Sequence, residues 1–340
     1  MCRRFWLISA YSFAHFLVDF ACAFLVFRNI LQAPDKHFCV LLYNFCAFAM
    51  QMPLGILADK WNRNAGLAIF GCLLVSVAYG FVSLPIVATV VVGMGNALFH
   101  IGGGVDVLNV SEKKLGALGV FVSPGALGIY FGAMLGKGNE VSSFPILLAL
   151  VGVAGVIFVA HKMQGGGYPK NAVFSLEGVF SSKILFAVAC LFLVVCLRSY
   201  VGLRLSFPWK GVGYWGVIWV CAVVLGKTAG GFLADRFGMR GTLFFSLGVA
   251  ALLFLFPQTP LLGVMAVLLF NMTMPITLFG MAKLFPGAKG FSFGLLTFAL
   301  FLGFVPVHLG QGPLTAAWPF ALAAALSLVL LALGLRNLKA

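Results

Sequence analysis

Long apolar stretches separated by short polar ones run along the whole 340-residue chain. Each stretch holds about 20 residues, which as an α-helix is long enough to cross the ~30 Å hydrocarbon core of a bilayer. The pattern predicts twelve membrane-spanning helices, at residues 5–27, 38–58, 65–83, 85–109, 115–136, 142–160, 184–203, 212–234, 241–257, 260–283, 291–308 and 314–335. We therefore expect an all-α polytopic membrane protein.

Composition supports this expectation. The chain is 62% hydrophobic and 9% charged, whereas about a quarter of the residues of a soluble domain are charged. A soluble protein of this length could not cover its surface with so few polar groups. The eight cysteines form no Cys-x-x-Cys pair and no metal-spaced cluster with histidine, so we expect neither a disulfide framework nor a metal site.

One connection between the predicted helices is long. Residues 161–183 read HKMQGGGYPKNAVFSLEGVFSSK, with three consecutive glycines, a proline and three lysines. This composition predicts a flexible linker between an N-terminal six-helix bundle at 1–160 and a C-terminal six-helix bundle at 184–340. The N-terminal MCRR precedes an apolar run without a small-residue cleavage site, so we expect an uncleaved first helix.

The placement of lysine and arginine predicts the orientation. With the N-terminus in the cytoplasm, fifteen basic residues fall on the cytoplasmic side and five on the other side, as the positive-inside rule requires. Both termini are therefore expected inside, at the cytoplasmic (inner) membrane. The same bias accounts for most of the net charge of +14, so we expect no nucleic-acid partner.

The two halves of the sequence resemble each other. Residues 53–66 read PLGILADKWNRNAG, and residues 229–241 read AGGFLADRFGMRG, which aligns Asp59 with Asp235. The same offset of 175 or 176 positions aligns four further pairs: Asn96 with Asn271, Gly119 with Gly294, Gly128 with Gly303, and Gln51 with Lys227. This period predicts two copies of one six-helix bundle in tandem.

The repeated motif resembles a known family. GILADKW at 55–61 and GFLADRF at 231–237 are similar to the signature loop of the major facilitator superfamily. Twelve helices, both termini inside and a long middle linker agree with that family over the whole chain. NALFH at 96–100, VFVSPGALG at 120–128 and LRSYVG at 197–202 resemble its fosmidomycin-resistance-like branch of drug and metabolite exporters.

The repeated motif also predicts a cytoplasmic gate. Glycine permits close helix approach, and an aspartate at a helix end can pair with nearby basic groups. The candidate gate residues are Gly55, Asp59, Lys60, Arg63, Asp106, Gly231, Asp235, Arg236 and Arg240. The alternative is that these are solvated turn charges that only fix the topology.

Ionisable groups inside the predicted spans are costly, which makes them candidates for function. They are His15, Asp19, His100, Asp106, Arg198 and Lys227. They fall on the first, fourth, seventh and eighth predicted helices. The resemblance implies that the first, fourth, seventh and tenth helices line a central path and that the third, sixth, ninth and twelfth lie outside it.

A carboxylate and an imidazole predict proton coupling. His15 and Asp19 are four residues apart and share a helix face, so we expect Asp19 to carry a proton with the assistance of His15. Arg198 is expected at the same depth, where it could pair with Asp19 across a cavity. The alternatives are a fixed structural ion pair, or an Arg198 side chain that extends to the outer surface.

The remaining polar residues inside the spans predict a substrate site. Arg198 and Lys227 suit a carboxylate, phosphate or phosphonate, which favours an anionic or zwitterionic substrate. The other candidates are amides and one imidazole, namely Asn44, Gln51, Asn96, His100 and Asn271, the last of which precedes an expected kink at Pro275. Amides of this kind also join helices without a role in transport.

The sequence contains no ATP-binding loop, no metal-ligand spacing and no nucleophile elbow, so we expect neither an enzyme nor a cofactor. We expect a monomeric secondary transporter in the lipid bilayer that moves a small-molecule substrate by alternating access, with proton-coupled export. The alternatives are facilitated uptake without proton coupling, and a transport-inactive sensor or scaffold that binds a partner through its cytoplasmic linker.

Overall fold

The computed structural model describes residues 2–111, 114–138, 141–165, 170–176, 181–310, 316–336 and 338, without the side chains of residues 2 and 3. Parts of the predicted linker, 166–169 and 177–180, lie outside the described residues. The described part of the chain folds into helices: α1 (Cys2–Arg28), α2 (Lys36–Asn44), α3 (Gln51–Trp61), α4 (Asn64–Ala78), α5 (Pro85–Val110), α6 (Leu115–Val122), α7 (Pro124–Lys137), α8 (Phe144–Gln164), α9 (Ser182–Arg204), α10 (Trp215–Phe237), α11 (Met239–Leu253), α12 (Pro260–Asn271), α13 (Met274–Leu284), α14 (Lys289–His308) and α15 (Trp318–Gly334).

Ten helical stretches within the described ranges are long and apolar enough to cross a membrane: Arg4–Gln32, Lys36–Trp61, Asn64–Phe81, Pro85–Val110, Leu115–Lys137, Phe144–Gln164, Ser182–Arg204, Trp215–Phe237, Pro260–Leu284 and Lys289–His308. Each lies where the hydropathy pattern predicts a span. The shorter apolar helices α11 and α15 lie at the ninth and twelfth predicted positions. The protein is therefore a multi-pass, all-helical membrane protein, and the count of twelve spans stays a prediction.

Three of these stretches contain a break just before a proline. Five residues of π-helix, Phe45–Ala49, separate α2 from α3 ahead of Pro53. Ser123 separates α6 from α7 at Pro124, and a turn at 272–273 separates α12 from α13 ahead of Pro275. Proline lacks the N–H of the helical ladder, and its ring clashes with the preceding turn. The kink expected at Pro275 is present.

The chain divides into two compact units. Unit 1 consists of Met1–Glu112, Pro124–Phe174 and Gly287–Phe298, and unit 2 of Lys113–Ser123, Ser175–Pro286 and Ala299–Ala340. Each unit thus includes a short segment from the other half of the sequence, and the two segments end 175 positions apart, as the sequence repeat predicts. The bundle limits at 160 and 184 stay predictions.

Glycines permit the close packing of α7 along α1 in unit 1. A Cβ atom at Gly128 or Gly132 would overlap a backbone carbonyl oxygen of α1, on Phe16 and Phe20 respectively. Only glycine lets two helices approach this closely. This approach brings the start of α7 against the polar residues of α1.

Candidate functional site

Three titratable side chains meet in unit 1, and we call them the histidine–aspartate cluster: His15 and Asp19 of α1, and His100 of α5. The Nε2 atoms of His15 and His100 are 3.0 Å apart. The Asp19 carboxylate lies 3.2 Å from His15 Nε2 and 3.6 Å from His100 Nε2. All three residues are more than nine-tenths buried, with 7%, 8% and 8% exposure. Their functional atoms therefore face one shared point.

Asn96 of α5 orients this cluster. Its backbone carbonyl lies 2.9 Å from His100 Nδ1, and because a carbonyl oxygen can only accept, Nδ1 carries the hydrogen. In neutral His100 the lone pair is then on Nε2, the atom that faces Asp19 and His15. The Asn96 side-chain amide donates to Asp19 Oδ1 at 3.1 Å. Two predicted substrate residues, Asn96 and His100, thus join the two predicted for proton coupling.

Gly125, at the start of α7, closes one side of the cluster. A Cβ atom there would overlap the Asp19 carboxylate and His15 Nε2. The sequence did not single out this residue, because a glycine carries no chemical signal of its own. Its role follows only from the close packing of α7 on α1.

Asp106, which was predicted for the gate, forms a separate buried cluster. Tyr11 donates to its carboxylate at 2.5 Å and the Asn64 side chain at 2.8 Å, and Asp106 is 0% exposed. Sequence analysis had not identified Tyr11 or Asn64, because neither is charged. These contacts join α1, α4 and α5 within unit 1.

The two motif aspartates each bind the first amide groups of a helix. In unit 1, Asp59 accepts from the backbone N–H groups of Gly290 and Phe291, at 2.8 and 2.9 Å. In unit 2, Asp235 accepts from those of Leu115 and Gly116, at 2.8 and 2.9 Å. The first N–H groups of a helix have no partner within the helix and favour a negative charge. We name these the Asp59 contact and the Asp235 contact.

The motif glycines permit these contacts. A Cβ atom at Gly55 would overlap the carbonyl of Gly290, and one at Gly231 would overlap the carbonyl group of Leu115. The same relationship continues one turn further along, where Gly294 packs on the backbone of Gln51 and Gly119 on that of Lys227. Pairs that the sequence repeat aligned are therefore equivalent in the structure.

The basic gate candidates were expected to pair with Asp59 and Asp235, but the structure gives them other contacts. Lys60 lies over the ring of Phe174 at 5.2 Å, Arg236 over that of Phe237 at 5.4 Å, and Arg240 donates to the Arg336 carbonyl at 3.2 Å. Arg63 is exposed at the end of the same loop. Backbone amides take the position at Asp59 and Asp235 that we expected basic side chains to occupy.

Asn171, in the predicted flexible linker, is bound to the end of unit 1. Its side chain accepts from Asn64 at 2.8 Å and from Asn109 at 2.7 Å, and it donates to the Ala58 carbonyl at 2.9 Å. Its backbone N–H donates to the Asn62 side chain at 2.8 Å. Asn109 in turn accepts from Lys289 at 2.9 Å. This part of the linker is held in place.

Arg198, on α9 in unit 2, is buried beside the break between α12 and α13. One guanidinium nitrogen, Nη2, donates to the hydroxyl groups of Thr273 and Thr277, at 3.0 and 3.1 Å. Its Nε is buried and has no hydrogen-bond partner among the described residues. The threonines were missed because hydroxyl residues are common in membrane helices and carry no charge.

The other predicted substrate residues donate hydrogen bonds to backbone carbonyl groups of the same unit. Lys227 donates to the Val122 carbonyl at 3.2 Å within unit 2. Asn44, Gln51 and Asn271 each donate to a carbonyl one turn earlier in their own helix, at 2.8, 2.6 and 2.8 Å. Asp19 and Arg198 belong to different units, so their pairing stays a prediction.

No family model and no curated protein matches the chain by sequence. Solved structures do match its fold. FucP, a major facilitator superfamily transporter and the fucose:proton symporter of E. coli, is 15% identical with a TM-score of 0.65, over 95% of this chain and 98% of that one. The human organic anion transporter TETRAN is 13% identical with a TM-score of 0.67, over 97% and 99%.

A bacterial homologue of the iron transporter ferroportin is 16% identical with a TM-score of 0.61, over 96% and 97%. At such low identity these matches establish the fold, and they cover almost the whole chain. The protein has the major facilitator fold, as the repeated loop motif predicts. Its assignment to the fosmidomycin-resistance-like branch stays a prediction.

Proposed function

We propose that the protein is a secondary transporter that exports a small anionic or zwitterionic organic solute by alternating access, driven by protons. The fold that it shares with several transporters supports transport as the general function. A fold alone does not define a substrate, so the finer parts of the proposal rest on the two buried polar sites.

The observation that carries the proposal is the state of Arg198. A buried guanidinium is costly unless a negative group or several hydrogen bonds compensate it. Thr273 and Thr277 satisfy one end of this guanidinium, while Nε has no hydrogen-bond partner in the described part of the chain. A carboxylate, phosphate or phosphonate of the solute fits this donor. A structural neighbour named as an organic anion transporter supports the same class.

The hydrogen-bond balance of the histidine–aspartate cluster supports proton coupling. With both histidines neutral, His100 Nε2 and the Asp19 carboxylate are acceptors, and His15 Nε2 is the one atom at their meeting point that can carry a hydrogen. One additional proton would convert two facing acceptors into a hydrogen bond. Two other titratable groups interact with Asp19, namely Cys22 on the same helix and Tyr43 of α2, which contacts Cys22. The fucose:proton symporter among the structural neighbours supports protons as the driving ion.

We propose that the Asp59 and Asp235 contacts form the cytoplasmic gate. Each closes the first turn of one helix onto the end of another, and each would have to break for the helices to separate. In this proposal both termini lie in the cytoplasm, and the protein is a monomer in the inner membrane. The lysine and arginine distribution supports this orientation.

Thermal stabilisation of the purified full chain by small anions, cations and neutral metabolites tests the substrate class. A ligand present at 100 times its dissociation constant adds about 2.7 kcal/mol. We expect anions to stabilise the wild type but not Arg198→Lys. Arg204→Lys changes a second buried arginine of α9, whose Nε and Nη1 also have no hydrogen-bond partner among the described residues, and it should keep the stabilisation if Arg198 is the anion site. Equal stabilisation of both variants would overturn the site.

Reconstituted vesicles then separate the three candidate functions. An imposed pH gradient should drive solute movement by the wild type and leave Asp19→Asn without a response. Solute movement that does not depend on the pH gradient would indicate facilitated uptake. No flux of any stabilising ligand would favour the sensor or scaffold.

A further inference from the structure

We propose that His15, Asp19 and His100 bind a divalent transition-metal ion. This goes beyond the proposed transport function and does not depend on it, because binding by the resting protein is sufficient to test it. The sequence predicts no metal site, because the ligand spacings that identify such a site in a sequence involve residues close together in the chain. His100 lies 85 positions from His15 and reaches it only through the packing of α5 on α1.

The distances suit a metal ion. A zinc ion holds nitrogen and carboxylate oxygen ligands at about 2.0–2.2 Å, so the edges of a tetrahedral site measure roughly 3.3–3.6 Å. In the cluster the two Nε2 atoms are 3.0 Å apart, and Asp19 approaches them through different oxygens, Oδ2 at 3.2 Å from His15 and Oδ1 at 3.6 Å from His100. With one ligand atom from each residue, all three atoms lie within 4.8 Å of one another. A rotation of the Asp19 carboxylate that turns one oxygen toward both Nε2 atoms would allow three metal bonds.

The electrostatics of the cluster favour a cation at its centre. His100 carries its hydrogen on Nδ1, because that atom faces the Asn96 carbonyl, and its Nε2 lone pair therefore points toward the Asp19 carboxylate. A positive charge between these two acceptors, which are 3.6 Å apart, attracts both of them. A metal ion supplies that charge and uses both lone pairs.

Asn96 supplies the support that metal ligands need. Metal-binding histidines commonly donate their other ring N–H to a carbonyl or carboxylate, which fixes the tautomer and the ring direction. The Asn96 carbonyl does this for His100, and its side-chain amide holds Asp19 Oδ1 at 3.1 Å. One residue thus orients two of the three ligands from outside the site.

The ligand set selects the class of ion. Two imidazoles and one carboxylate suit zinc, cobalt, nickel or iron, whereas calcium and magnesium prefer oxygen ligands. Three protein ligands leave at least one coordination position for water or for an oxygen of a solute. Because ligation requires deprotonated groups, the metal also competes with a proton at the same atoms.

Co²⁺ titration of the full chain, purified in detergent without a histidine tag, tests the site, because bound Co²⁺ absorbs visible light in a way that reports its ligands. We expect one equivalent per chain at neutral pH, displaced by Zn²⁺ and resistant to Mg²⁺. His100→Gln and Asp19→Asn each remove one ligand and should weaken binding by at least about 100-fold. His37→Gln, a change at an exposed histidine, should bind as the wild type does.

Asn96→Leu tests the support without removing a ligand, and we expect about tenfold weaker binding. Melting temperatures of all variants show which of them are folded. If folded wild type binds no Co²⁺ or Zn²⁺, or if folded Asp19→Asn and His100→Gln bind as tightly as it does, the metal site is overturned. Anion stabilisation through Arg198 is measured separately, so either proposal can fail alone.

Discussion

The Asp59 carboxylate lies 2.8 Å from the backbone nitrogen of Gly290, a residue 231 positions further along the chain. Asp235 has the same relationship with Leu115, also at 2.8 Å. The two acceptors are 176 positions apart and the two donors 175, so the repeat of the sequence is present as a repeated tertiary contact. In both places an aspartate of one repeat binds the first turn of a helix from the other repeat.

Loss of one carboxylate should release only the backbone amides that this carboxylate binds. A hydrogen bond to a charged group contributes about 1.5–3 kcal/mol, equivalent to a roughly 10- to 150-fold change in local opening. We expect Asp59→Asn to accelerate hydrogen exchange by such a factor at Gly290 and Phe291. Mass spectrometry of peptides that cover 286–296 measures this.

The Asp235 contact provides the matched control. Asp235→Asn should accelerate exchange at Leu115 and Gly116 and leave Gly290 and Phe291 unchanged. If either variant changed both peptides equally, the two contacts would open together and could not be independent helix caps.

A methyl group at Gly55 should destabilise the protein, because its Cβ atom would overlap the carbonyl of Gly290. Overpacking of this kind costs about 1–3 kcal/mol, which should lower the melting temperature of Gly55→Ala in detergent. Gly66→Ala is the control, since a Cβ atom on that helical glycine meets nothing within 4 Å. Alanine is the better helix former by about 1 kcal/mol, so this control should melt at the same temperature or higher.

The linker should become more accessible to protease without Asn171. Its side chain and backbone make hydrogen bonds to Asn62, Asn64, Asn109 and the Ala58 carbonyl, which hold the segment that follows Lys170. We expect Asn171→Ala to increase tryptic cleavage after Lys170 about tenfold or more, since several bonds of ~1 kcal/mol each are lost.

Val173→Ala is the control for this experiment, because the Val173 side chain is 89% exposed. Cleavage of this variant should match the wild type. Equal rates for Asn171→Ala and Val173→Ala would mean that the Asn171 contacts do not restrain the segment.

Removal of the hydroxyl partners of Arg198 should destabilise the ligand-free protein. Thr273→Val and Thr277→Val keep the side-chain shape but each deprive a buried guanidinium of a hydrogen bond, at a cost of about 1.5–3 kcal/mol. Thermal unfolding measures this. Thr89→Val is the control, because the Thr89 hydroxyl is buried and has no hydrogen-bond partner among the described residues. If Thr277→Val were as stable as this control, the threonines would not hold Arg198.

Sequence periodicity was sufficient to locate the ten long helical stretches of the described ranges and the kink at Pro275, because a span of apolar residues and a proline are local signals. The aligned glycines of the two repeats, such as Gly119 and Gly294, were also correct, since both pack on a backbone at equivalent places. The partners of Asp59 could not be predicted in this way. Its donors are backbone amides, which every residue has, and no residue type identifies them in a sequence.

The same limit applies to the histidine–aspartate cluster. The i, i+4 spacing of His15 and Asp19 places them on one face of a helix, and this part was visible. The contribution of His100 depends on the packing of α5 on α1, and that of Gly125 on the packing of α7. Asn171 was expected in a flexible segment because its neighbours are glycine and lysine, whereas five specific hydrogen bonds fix it.

The Asp59 and Asp235 contacts are equivalent by the repeat, but they can form at different times during synthesis of the chain. When the ribosome completes Asp235, its partners Leu115 and Gly116 are already in the membrane, and their contact can form at once. Asp59 precedes Gly290 by 231 residues, a delay of roughly 10 to 50 s at 5–20 residues per second. Because unit 1 includes Gly287–Phe298, the first helices to be made are completed by one of the last. The Asp235 contact can therefore form while Asp59 still lacks its partners, for the roughly 3 to 11 s that separate the synthesis of Asp235 from that of Gly290.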